Sequence, residues 1–224
     1  MKRLFSFLVF FYLICTGFPT MAQADMTTIV AFGDSLTAGW GLRAGQAYPD
    51  VLERLLLDSG RDVRIINAGV SGDTTAGGLS RLGWALRDEP DLVILCLGAN
   101  DGLRGLSTRL MESNLDSMLS RLKSENVPVI FAGMMAPPNM GHGYARQFQG
   151  VFDRLAEKYD VAAYYPFLLE GVAGDKSLNL PDGIHPNEQG AEIIAKNLFP
   201  IVSRIVDELQ NKASKTKAAA DGSQ

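Results

Sequence analysis

Residues 28–39 read TIVAFGDSLTAG. Thr28–Phe32 is a short apolar run, rich in β-branched residues, that stops at Gly33. It does not alternate polar with apolar, so it reads as a strand covered on both faces rather than one. Ser35 stands just past its end. A serine there has two readings. It caps the helix that follows, or it is a nucleophile held at the edge of a sheet, waiting for a base to take its proton.

Four more runs share the character of the first: Val63–Asn67, Leu92–Leu97, Val127–Ala132 and Val161–Tyr165. Between them the apolar residues recur at helical spacing. Tyr48, Val51, Leu52, Leu55 and Leu56 form one stripe, and Leu79, Leu82 and Leu86 a second. Leu115, Met118, Leu119 and Leu122 form a third, and Phe148, Val151, Phe152 and Leu155 a fourth. Ile193, Ile194, Leu198, Ile201, Ile205 and Leu209 mark a last helix, with a kink or break expected at Pro200. Strand–helix alternation repeated five times predicts an α/β fold: a central five-stranded parallel sheet with helices on both faces, a three-layer αβα sandwich. No repeat or linker divides it. Residues 25–210 read as one domain, and the polar, alanine-rich 211–224 as a frayed or disordered tail.

The first 24 residues read as a secretory signal peptide. Lys2 and Arg3 open it, Leu4–Phe18 is almost wholly apolar, and Ala22-Gln23-Ala24 fits the small-residue cleavage rule. The apolar run falls short of the ~20 residues of a spanning helix. A periplasmic or secreted protein with no integral span after cleavage is expected. The net charge is −4, and losing Lys2 and Arg3 makes it more acidic still. With no basic run, nucleic acid is not an expected partner. Of the 2 cysteines, Cys15 leaves with the leader, so Cys96 has no intrachain partner and reads as core.

In an open α/β sheet, ligands gather outside the carboxyl ends of the strands. Four loops there carry polar and glycine residues: Gly33-Asp34-Ser35, Asn67–Asp73, Gly98-Ala99-Asn100-Asp101 and, near the chain end, Asp182-Gly183-Ile184-His185. The chain has 2 histidines. His142 has no nearby acid and reads as an exposed loop residue. His185 follows Asp182 by three residues, a turn that lets a carboxylate reach one ring nitrogen and leaves the other free. The same residues also read as the start of the last helix, and the two readings are compatible. Gly72 and Asn100 are candidates for donors to an oxyanion, with the Ser35 N–H as a third. Equally, Gly72 permits a turn and Asn100 caps a helix.

GDSL at 33–36, SGD at 71–73, GAND at 98–101 and DGIH at 182–185 resemble, in order, the four signature blocks of the SGNH, or GDSL, hydrolase superfamily. The likeness runs from about Ile29 to Leu198. Within the superfamily, GDSLTAGWG, NAGVSGDTTAGGLSRL, GANDGLRG and DGIHPN are similar to the periplasmic multifunctional thioesterase, protease and lysophospholipase group. The resemblance implies a flavodoxin-like sandwich with no metal and no cofactor. It implies Ser35 as nucleophile, His185 as base and Asp182 as its orienting acid. It also implies an oxyanion hole of Ser35, Gly72 and Asn100. The frame is not the G-x-S-x-G elbow of another hydrolase class.

The expected activity is hydrolysis of carboxylic esters and thioesters of acyl substrates, lysophospholipids included, by a monomer. Thr74, Thr75 and Gly77 fall in a small, glycine-rich stretch that the resemblance suggests as a mobile flap over the acyl chain. A plain helix start fits it too. Pro138, in the methionine-rich Met134–Met140, is a candidate wall of an acyl groove, although those methionines fit core equally. Arg43 and Arg104 read as solvated surface, with contact to an anionic headgroup as the alternative. Two other functions compete: a carbohydrate acetylesterase of the same superfamily, and a non-catalytic acyl- or lipid-binding protein. The second would be expected to have lost Ser35 or His185, and neither is lost.

Overall fold

The computed structural model describes residues 26–221; the expected signal peptide lies outside them. Chain order is β1 (Thr27–Gly33), α1 (Ser35–Ala38), α2 (Tyr48–Asp58), β2 (Val63–Gly69), α3 (Thr75–Ala85), β3 (Leu92–Cys96), α4 (Ala99–Leu103), α5 (Thr108–Ser124), β4 (Val129–Ala132), α6 (Gly141–Tyr159), β5 (Ala163–Tyr165) and α7 (Glu188–Asp221). All five strands are parallel, in the order β2-β1-β3-β4-β5. This is the flavodoxin-like order, and its switch point lies between β1 and β3, where the chain leaves the sheet in opposite directions.

The α/β sandwich expected from the apolar runs is the one found. α2 packs on α7 in one layer, while α3, α5 and α6 make the other. The central strands are the most apolar because they are covered twice: every residue of β3 and of β4 is buried. β2 and β5 are edges and half-covered, which the sequence reading, treating all five runs alike, did not separate. Ile29, Phe32, Ile94, Leu95 and Phe131 are fully buried at the sheet, with Leu52, Leu82, Phe148 and Phe152 closing on it from the helices. Cys96 is a free, buried thiol in this core.

Of the kink or break expected at Pro200, the break is not found: α7 runs through it. A proline inside a helix removes one backbone bond, and the buried stripe Ala195, Leu198, Val202, Ile205 and Val206 holds the helix on either side. The helix continues to Asp221 through residues that are exposed or half-buried. Alanine and lysine are strong helix formers, so here propensity extends an element that packing has already nucleated.

Candidate active site

The site sits at the carboxyl ends of β1, β2 and β3, beside the switch point. β1 and β3 are in register there, Gly33 opposite Cys96, with Gly69 of β2 on the other side. Gly33 is required by space: a Cβ on it would run into the Thr37 hydroxyl and the Cys96 carbonyl. That closeness brings α1 down onto the strand end. The Asp34 side chain accepts from the Leu36 N–H at 3.0 Å, capping α1, and Ser35 is its first residue. The serine therefore does begin a helix, but Asp34, not Ser35, is the cap.

Ser35 Oγ lies 2.9 Å from His185 Nε2. His185 Nδ1 lies 2.7 Å from Asp182 Oδ2. The other carboxylate oxygen, Oδ1, accepts from the backbone N–H groups of Ile184 at 2.9 Å and His185 at 3.0 Å. Those two bonds, backed by the imidazole, hold Asp182 down at about 2, so it is ionised at any physiological pH. The 166–187 segment is stiff despite having no helix. Asn179 donates to the Val172 and Asp175 carbonyls, both at 2.7 Å, and Leu180 N–H donates to the His185 carbonyl at 2.7 Å. Trp40 lies against the imidazole, ring centroids 6.0 Å apart.

Gly72 stands at the third position of a turn closed by Asp73 N–H donating to Val70 O at 3.1 Å. Its φ is +85°, the value a type II turn needs at that place and one that glycine supplies at no steric cost. The Gly72 carbonyl accepts from Arg104 Nη2 at 2.8 Å. Arg104 is thus engaged in holding the turn, whereas Arg43 is exposed. Asn100, in the first turn of α4, donates one amide N–H to Asp73 O at 2.9 Å. A carboxamide has two such donors, and this bond fixes the aim of the group. The turn and the strand ends are joined by Arg81. Its guanidinium donates to Asp73 Oδ2 at 2.6 Å, Ala68 O at 2.8 Å and Gly33 O at 2.7 Å, and it lies over the Phe32 ring. One side chain ties together the ends of β1 and β2 and the loop of Gly72.

A groove of about 560 Å³ opens from Ser35 and Asn100. Its walls come from Leu103 at the end of α4 and from two loops, one with Met134, Met135, Pro137 and Pro138, the other with Phe167, Leu169 and Ile184. Pro138 is among the lining residues. Met134 is buried and Met135 exposed, and both line the groove. The Phe167–Ala173 wall was missed, because nothing in its composition distinguishes it from an ordinary loop.

Thr74, Thr75 and Gly77 are not brought to the groove. Thr74 caps α3 by accepting from Gly77 N–H at 3.4 Å. Thr75 is fully buried, giving its N–H to Asp101 Oδ2 at 2.8 Å and its hydroxyl to Asp101 Oδ1 at 2.7 Å. Gly77 backs onto Asp73 inside the helix. The correction has a simple cause: a small, polar, glycine-rich stretch suits a flap and a capped helix start alike, and Asp101, 26 residues on, decides between them. His142 is exposed, as expected, but on the first turn of α6 rather than in a loop. Among the described residues no group of three or more His, Cys, Asp or Glu is placed to hold a metal ion.

Residues 31–193 match the GDSL-like Lipase/Acylhydrolase family. The chain belongs to that family. Esterase TesA of Pseudomonas aeruginosa is 38% identical over 185 residues, 82% of this chain and 92% of the relative. An arylesterase of Vibrio mimicus is 37% identical over 203 residues, covering 88% and 98%. The thioesterase 1/protease 1/lysophospholipase L1 of Escherichia coli is 35% identical over 201, covering 88% and 93%. The crystal structure of TesA superposes with a TM-score of 0.76 at 38% identity, over 80% of this chain and 99% of that one. This GDSL-family chain is a serine hydrolase, an esterase acting on small-molecule acyl substrates.

Proposed function

We propose that Ser35, His185 and Asp182 are the catalytic triad and that the Ser35 N–H, the Gly72 N–H and the Asn100 amide are the oxyanion hole. The observation that carries this is the unbroken line of hydrogen bonds from Asp182 through His185 to Ser35, ending at the mouth of an apolar groove. Ser35 Oγ attacks the acyl carbonyl as its proton passes to His185 Nε2. The carbonyl oxygen becomes an oxyanion facing the three donors, which cost no reorganisation at that moment. As the intermediate collapses, His185 returns the proton to the departing alcohol or thiol. Water, deprotonated by the same imidazole, then attacks the acyl-serine; His185 returns that proton to Ser35 Oγ as its bond to the acyl carbon breaks, and the acid leaves. Asp182 keeps the proton of the neutral imidazole on Nδ1, so that Nε2 faces Ser35 as the base.

The substrates proposed are medium- to long-chain acyl esters, thioesters and lysophospholipids. A groove of about 560 Å³ is ordinary for a small-molecule site and far larger than an acetyl group requires. The three relatives, named as an esterase, an arylesterase and a thioesterase/lysophospholipase, support the same class. A leader over residues 1–24 fits export to the periplasm or beyond, where lysophospholipids are available, and among the described residues no helix is long and apolar enough to cross a membrane. The working unit is a monomer formed by residues 25–210.

Hydrolysis of p-nitrophenyl esters from acetyl to palmitoyl, by the chain from Asp25 onward and by its Ser35→Ala variant, tests the proposal. The rate is expected to rise toward medium or long chains and to vanish in the variant. Cleavage of acetyl alone would replace the reading with an acetylesterase. Equal inertness of both proteins would replace it with a binding protein.

A further inference from the structure

The three proposed oxyanion donors come from segments far apart in the chain: Ser35 at the start of α1, Gly72 in the β2–α3 turn and Asn100 in the first turn of α4. Such donors serve an oxyanion only if they are fixed before the charge forms. Asp73 links two of them. Its N–H closes the turn of Gly72 on Val70 O at 3.1 Å, and its carbonyl takes the Asn100 amide at 2.9 Å. Its side chain carries neither bond. That carboxylate, 17% exposed, is held at 2.6 Å by Arg81 of α3, 21% exposed.

The rest of the guanidinium is spent on the sheet. Nη1 donates to Ala68 O of β2 at 2.8 Å and Nη2 to Gly33 O of β1 at 2.7 Å. Gly33 stands two residues before Ser35. Its carbonyl also accepts the Val70 N–H, at 3.0 Å, using its second lone pair. The guanidinium carbon lies 4.1 Å from the centre of the Phe32 ring, which backs the plane of the group. A charge pair with Asp73 needs only one of these bonds. The other two reach the ends of the two strands that flank the site.

Resting on the reading of Ser35, Gly72 and Asn100 as the oxyanion hole, we propose that Arg81 is a positioning residue for that hole. It acts through Asp73 and Gly33, not on the reacting atoms. One planar fork locks the strand end that leads into Ser35 to the turn that carries Gly72, and through Asp73 to Asn100. Lysine is no substitute. Its ammonium is a single point of charge, whereas three different nitrogens of Arg81 meet the three oxygens. Interactions made only in the transition state show in kcat rather than in KM, and so should the loss of their aim.

Arg81→Lys, which keeps the charge opposite Asp73 and gives up the fork, tests this. The readout is steady-state kinetics on the p-nitrophenyl ester that the wild type cleaves fastest, with Ser35→Ala as the blank. A misplacement of about 1 Å costs on the order of 10²-fold, so with one bond kept kcat is expected to fall about tenfold, with KM within about twofold. The deciding comparison is made in an Asn100→Ala background. Aiming a donor matters less once that donor is gone, so there Arg81→Lys is expected to cost less than about threefold. A merely structural role would cost about tenfold in both backgrounds, and that result overturns the proposal. So does wild-type kcat in Arg81→Lys, or a loss confined to KM. Asp73→Ala keeps the backbone bonds of Asp73 and cuts only the side-chain link. It is expected to repeat both results, and it decides the matter if Arg81→Lys does not fold. If neither folds, Arg81 is a folding residue and the proposal falls. Should Asn100→Ala turn over like wild type, it is the oxyanion hole that fails. Should Asn100→Ala be slow while Arg81→Lys matches wild type, only the role of Arg81 fails.

Discussion

In the proposed oxyanion hole Asn100 divides one carboxamide between two tasks. One N–H is spent on Asp73 O at 2.9 Å, and the other is proposed to meet the oxyanion. Replacing it with alanine removes the donor and the tie together. Loss of a single donor of this kind costs about 3 kcal/mol, two to three decades in kcat. Asn100→Ala is expected to show that loss in steady-state turnover, with KM little changed and the circular dichroism of the native fold. Wild-type turnover in a folded variant would remove Asn100 from the oxyanion hole. The four signature residues were legible because four blocks, GDSL, SGD, GAND and DGIH, stand in order at strand ends and resemble those of a known family; each residue alone had an ordinary reading as a cap or a turn. Arg81 was not legible. An arginine in a helix is ordinary, and only its three oxygen partners, on two strands and a loop, single it out.

Residues 74–78 suit a flap or a plain helix start, and in the structure they are the capped start of α3. Asp101 is 3% exposed and receives both the N–H and the hydroxyl of Thr75. Asn114 of α5 donates to the same hydroxyl at 3.0 Å. The start of α3 is thus stapled to α4 and α5. Thr75→Val keeps the shape but leaves Asp101 Oδ1 and the Asn114 amide without that partner, and unmade buried bonds cost about 1–3 kcal/mol each. A fall in the urea midpoint is expected, with the chain-length preference for p-nitrophenyl esters unchanged. A changed preference at unchanged stability would return Thr75 to the substrate site. Residue type pointed the other way because threonine and glycine suit a flexible loop as well as a helix cap.

At the level of the whole molecule, the active site is held by the sheet and by the loop before α7, and the far end of α7 takes no part. Gln210 ties the helix to the body, donating to Thr27 Oγ1 at 3.1 Å and Asp62 O at 3.0 Å. Ending the chain after Gln210 is expected to leave esterase turnover unchanged and to shift stability by no more than about 0.5 kcal/mol, as for surface changes generally, read from thermal unfolding. A large loss would make the 211–221 helix part of the domain. The sequence by itself determined the layers, the number and direction of the strands, and the residues able to do acyl chemistry. It could do so because burial on two faces writes a continuous apolar run, and because few side chains can serve as nucleophile, base or oxyanion donor. Tertiary structure alone decided that β2 and β5 are edges, that Thr75 is buried, and which loops wall the groove. Each of these depends on which distant segments meet. Asp101 lies 26 residues from Thr75, and His185 lies 150 from Ser35, and no local pattern of apolar and polar residues encodes such a distance.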